Sequence, residues 1–116
     1  MKNASVGNIE KRVHKRFIVS GNAAIELDGR KVSGSVISVG AGGLLLLCDD
    51  TPPPGTEVRV DFAVWGLAGE FPVSGRGKVV WTQPGKVGVE FLEEPEGLKS
   101  LLIFLEREHY CWSGTD

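Results

Sequence analysis

Residues 17–39 read FIVSGNAAIELDGRKVSGSVISV, two runs rich in β-branched and aliphatic residues on either side of Asp28-Gly29. Asp-Gly favours a type I′ turn, in which both central residues take positive φ and the twist matches that of paired strands. Phe17–Leu27 is therefore expected to pair with Arg30–Val39 as a hairpin, and the rest of the chain must supply the strands that cover its apolar face.

It does so at short intervals. Gly40-Ala41-Gly42-Gly43 punctuates before Leu44–Cys48, an apolar run too short for a helix and bounded by turn signals, which reads as a third strand. Asp50-Thr51-Pro52-Pro53-Pro54-Gly55 must be a loop, since consecutive prolines supply no backbone donors to a ladder. Glu57–Phe62 alternates polar and apolar residues, the period of a strand with one buried face. After a turn at Gly66–Gly69, Phe71–Trp81 and Val87–Phe91 add two more strands, joined across Gln83-Pro84-Gly85. Six strands with short turns predict a closed or nearly closed antiparallel β-barrel, which also removes exposed edges.

The period then changes. Leu98, Leu101, Leu102 and Leu105 fall at i, i+3, i+4 and i+7, with Pro95 suited to a first helical turn. A C-terminal helix over Pro95–His109 is the expectation. Ile103 and Phe104 widen its apolar face; packing on the barrel is the ordinary use of both, and an exposed remainder would suit a partner.

One domain accounts for 116 residues, and 41% hydrophobic with 24% charged residues suffices for a core. The boundaries read as an N-terminal arm over 1–11, a barrel with its helix over 12–109 and a tail over 110–116. A formal net charge of −2 argues against a nucleic-acid polymer as partner, because such binding rests on many phosphate contacts. A small anion could still use the local cluster Lys11, Arg12, His14, Lys15 and Arg16, which would otherwise be a solvated basic arm. Cys48 and Cys111 are too few for a disulfide framework and read as structural. With no apolar leader segment and no stretch long enough to span a bilayer, no membrane insertion is expected and the cytoplasm is the expected location.

Catalysis finds little support. The two histidines, His14 and His109, have no evident partners, and Ser38 lacks the Gly-x-Ser-x-Gly setting of a nucleophile elbow. Neither cysteine has a base nearby in sequence. Asp49-Asp50, Glu93-Glu94 and Glu106 with Glu108 read as solvated ends of elements. Trp65 and Trp81 could stack on a base, although packing is the commoner use of strand aromatics. The expectation is a binding module that is not an enzyme and holds no metal or other cofactor.

The basic segment Arg12-Val13-His14-Lys15-Arg16 ahead of this strand order resembles the PilZ family, in which Arg-x-x-x-Arg precedes a six-stranded antiparallel barrel closed by a C-terminal helix. Pro53-Pro54-Gly55-Thr56 before a strand, Gly75–Trp81 as a strand and Gly88-Val89-Glu90-Phe91 ahead of the helix extend the resemblance over about residues 10–106. It implies a sensor or adaptor that binds the bacterial second messenger cyclic di-GMP through Arg12, Arg16 and Ser38 and passes the signal to an unidentified downstream protein. A guanidinium offers forked donors for a phosphate or for the O6/N7 edge of guanine, and its face can stack on a base.

The family's second motif is Asp or Asn, any residue, Ser, two residues, then Gly. Aligned as Val36-Ile37-Ser38-Val39-Gly40-Ala41, only Ser38 matches, although a one-residue slip among Gly40, Gly42 and Gly43 could restore the turn. On a regular strand Val36 and Ser38 share a face and Ile37 takes the other. That expectation puts Val36 on the ligand surface, outside the core, where it can touch a guanine edge but not hydrogen-bond it. Ser33 and Ser35 fall on the wrong face to replace it. Two readings stay open: a cyclic di-GMP sensor of weakened affinity, or a degenerate PilZ-like module that binds a protein in pilus assembly or motility and has lost the nucleotide.

Overall fold

Asp28 and Gly29 both take positive φ, 50° and 77°, so the hairpin turns as its dipeptide requires. In the computed structural model, which describes residues 16–66 and 69–108, the strands are β1 (Arg16–Leu27), β2 (Arg30–Gly40), β3 (Gly43–Cys48), β4 (Glu57–Gly66), β5 (Gly69–Gln83) and β6 (Lys86–Phe91), followed by helix α1 (Leu98–Arg107). Neighbours run β1-β2-β3-β6-β5-β4, and β4 pairs back onto β1 to close the barrel. All six pairings are antiparallel.

The six expected strands are all present, several longer than their apolar runs. β4 and β5 continue to the pair Gly66 with Gly69, because ladder hydrogen bonds extend past the residues that face the core. The triple-proline segment lies outside the ladder, and Gly55 and Thr56 tie it to β5 through bonds between Gly55 N–H and the Val79 carbonyl and between Val79 N–H and the Thr56 carbonyl.

Inward positions of every strand, among them Ile25, Val39, Leu46, Val60, Val79 and Val87, form one buried cluster with Leu98, Leu101 and Leu105 of α1. Phe104 stacks on Phe71 at 4.5 Å between ring centroids, as expected of a packed residue, whereas Ile103 is 52% exposed. The helix begins later than Pro95. Gly97 takes φ 90°, outside helical geometry, and Glu96 bridges Ser74 of β5, so the chain stays sheet-bound until Leu98. Its expected end at His109 lies outside the described residues. No helix among the described residues is long and apolar enough to cross a membrane.

One expectation is reversed. Val36 is fully buried, with 0% exposure, and belongs to the core rather than to the outer surface. The cause is a β-bulge: along β2–β3, Val36 pairs with Leu46 while Ser38 pairs with Leu45, so Ile37 is an extra residue in the ladder. A bulge of this kind shifts the alternation by one, and the inward residues of β2 become Val36 and Val39.

Candidate functional site

β1 opens with Arg16 exposed, Phe17 buried, Ile18 exposed and Val19 buried. Its register sets Arg16 opposite Gly40, Phe17 opposite Val39 and Ile18 opposite Ser38. Arg16 and Ser38 therefore both belong to the outer surface, two residue pairs apart along the strand direction, while Phe17 and Val39 of the intervening pair plug the interior beneath them. The structure brings together these two residues of the expected site. Arg12, His14 and the remainder of the basic cluster lie outside the described residues.

The bulge also changes which residues fit the second motif. With Val36 in the core, the next outward side chain of β2 is Ser38, and the stretch that leads from it into the β2–β3 turn is Ser38-Val39-Gly40-Ala41-Gly42-Gly43. In that frame Ser38 stands where the motif has Asp or Asn, Gly40 where it has Ser, and Gly43 at its final glycine. Gly43 fits a demand for glycine independently of any motif: it pairs with Glu90, and a Cβ there would run into the main-chain carbonyl oxygen of Val89. Ala41 is exposed and bears its methyl group in the open turn. Gly42 adds a tie to the barrel, its carbonyl accepting from Phe91 N–H at 2.9 Å.

The signal that sequence reasoning missed was in β2 itself. Val36 and Ile37 are adjacent apolar residues and the next is Val39, a 3-residue step from Val36 that no straight strand can turn inward at both ends. A second bulge, on β5 between Val79 and Trp81, has the same effect and leaves Val80 and Trp81 46% and 40% exposed.

Elsewhere, arginines stand beside local acids: Arg30 pairs with Asp50, Arg76 with Glu93 at 3.5 Å, and Arg59 with Asp61 at 3.8 Å and with the Ser74 hydroxyl at 3.1 Å. Exposed pairs of this kind contribute little stability. Arg16, by contrast, is placed by its register opposite Gly40. Cys48 is a buried core residue whose thiol pKa is pushed up by burial, with Asp50 and Asp49 adding to the effect. Such a thiol is a poor nucleophile at neutral pH. Among the described residues no group of His, Cys, Asp and Glu could hold a metal ion.

The PilZ domain family model matches residues 10–106. Solved structures that share the fold include the following two. The Bacillus subtilis inhibitor of motility, MotI/DgrA, superposes with a TM-score of 0.68 at 16% identity over 83% of this chain and 50% of its own; the chain thus spans half the length of that protein. The PilZ domain of Escherichia coli YcgR, solved with c-di-GMP, superposes with a TM-score of 0.61 at 17% identity over 84% of this chain and 93% of its own. No curated protein matches the chain.

Proposed function

The chain belongs to the PilZ domain family, and from that premise we propose that it is a non-catalytic cyclic di-GMP sensor that hands the signal to a protein partner in the cytoplasm. Arg12 and Arg16 grip the nucleotide's phosphates and guanine edges, and the Ser38–Gly43 segment receives it on the outer wall of the barrel. The observation that carries this reading is the register of Arg16 against Gly40, which sets the second motif arginine beside the second motif segment. The YcgR domain of the same fold, solved with c-di-GMP, supports the choice of ligand.

The site is weaker than the family motif provides. Serine at the Asp/Asn position has one hydroxyl where a carboxylate or amide can make a paired contact with a guanine, and Gly40 offers no side chain at all. Losing a bidentate base contact costs roughly 1–3 kcal/mol, or about 5- to 150-fold in affinity, which weakens binding without removing it. The same two replacements favour the second reading, a degenerate module that binds only protein, and the inhibitor-of-motility fold neighbour makes motility a reasonable setting for either.

Calorimetric titration with cyclic di-GMP separates the two. The sensor reading expects saturable binding that weakens as salt rises, because two phosphates face an exposed cationic site, and expects Arg16→Ala to abolish it with the fold intact. A folded wild-type protein that takes up no nucleotide would remove the sensor reading and make the protein-only reading the favoured one.

A further inference from the structure

Helix α1 is held to the barrel by one face and leaves another uncovered. Leu98, Leu101 and Leu105 are buried against the core, whereas Lys99, Ile103 and Glu106 fall at i, i+4 and i+7 on the outer side and are exposed, Ile103 by 52%. Beside this ridge an open groove of about 670 Å³ runs between α1, the end of β6 and the β2–β3 turn. Ala41, Phe91, Leu98 and Leu102 line it with apolar surface, and Glu93 and Glu94 make its margin acidic. The charges of the exposed stripe run against the helix that carries them. A helix favours acids at its N-terminus and bases at its C-terminus, yet the first turn of α1 holds Lys99 and no acid, and the last turn holds Glu106 beside Arg107. Lys99 and Glu106 are two turns apart, roughly 10 Å along the axis. An antiparallel copy of α1 laid along the stripe, with a two-fold axis between Leu102 and Ile103, sets Lys99 of each copy against Glu106 of the other.

We propose that this face is a self-association surface: two copies of the chain pack α1 antiparallel across a two-fold axis, and each seats its Ile103 in the apolar groove of the other. An isologous interface needs a single patch that complements itself. Here the adjoining ridge and groove supply the shape, and the inverted pair of charges supplies the orientation, since parallel packing would oppose lysine to lysine and glutamate to glutamate. The antiparallel arrangement also brings each Lys99 to a helix C-terminus and each Glu106 to a helix N-terminus, the ends their charges favour. A helix about 15 Å long covers far less than the roughly 800 Å² per partner of a standard interface, so the dimer is weak and forms at high protein concentration. Ala41 belongs both to the groove and to the β2–β3 turn, so the second copy borders the candidate site. The interface itself does not depend on the nucleotide.

Sedimentation velocity of the full chain over roughly 10 µM to 1 mM, the range of a weak interface, tests the pairing. Wild type should show a monomer–dimer equilibrium. Ile103→Asp, Lys99→Glu and Glu106→Lys should each raise the dimer Kd by about 10-fold or more. The first puts a carboxylate into the apolar contact, and either reversal sets two like-charge pairs across the axis. Lys99→Glu combined with Glu106→Lys should return the Kd to within a few-fold of wild type. Each reversal suits its own end of α1, so thermal melts no lower than wild type will show that a lost dimer is not a lost helix. Wild type that stays monomeric throughout overturns the proposal and leaves the groove to a different protein or to residues 1–15 of the same chain. A dimer indifferent to Ile103→Asp, or a double reversal that does not recover, overturns it as well.

Discussion

The two ends of the β1–β2 hairpin are built from the same two strands and behave differently. Toward the turn, pairs from Gly21 with Val36 to Leu27 with Arg30 follow one another without a break, and a dipeptide fixes their register. Toward the other end the ladder slips between Ile18 and Gly21, Ile37 bulges, and Arg16, Ser38 and Gly40, which pair beyond the slip, are among the residues proposed to meet the ligand. Local turn chemistry governs only the strand it adjoins. An inserted residue re-aims everything beyond it, and here the re-aimed end is the one proposed to bind the ligand.

The strongest way to break this contrast is to charge the residue before the bulge. Val36→Asp should cost about 3 kcal/mol or more in a denaturant melt, because it buries an unpaired carboxylate. A change within about 0.5 kcal/mol would return Val36 to the outer surface and undo the bulge.

Glycine substitutions probe each end by a different cause. Gly43→Ala, at the ligand end, forces a methyl into the Val89 carbonyl and should cost roughly 1–3 kcal/mol as overpacking does. Gly29→Ala, at the turn, meets nothing within 4 Å but must hold φ 77°, a backbone penalty of about 1 kcal/mol. Equal losses at both, or a larger one at Gly29, would deny the tight approach at Gly43.

The smallest effect on stability accompanies the sharpest test of register. Ser38→Asn should move stability by no more than about 0.5 kcal/mol, since the side chain lies outside the core, yet tighten cyclic di-GMP by about 5- to 150-fold through a paired contact to guanine. Destabilisation without a gain in binding would place the motif in another frame.

This contrast also explains what was legible in the sequence. Asp28-Gly29, the alternation of Glu57–Phe62 and the leucine spacing of the helix each report on a local periodicity, and together they disclose six strands, the barrel and the helix. The faces of β2 and β5 past their bulges depend on one extra residue in each ladder, at Ile37 and Val80. A bulge has no composition of its own, so a strand assumed to be straight puts Val36 outside. Gly97 likewise delays the helix through a bridge from Glu96 to Ser74, a tertiary contact that helical spacing cannot disclose.

The most direct test of the site as a whole is an amide-resolved NMR titration of the wild-type protein with cyclic di-GMP. The largest shifts are expected at Arg16 and Ser38–Gly43, with the Asp28-Gly29 turn unmoved. Saturation with shifts confined to the opposite wall around Asp61 and Ser74, or no shifts at all from a folded barrel, would contradict it.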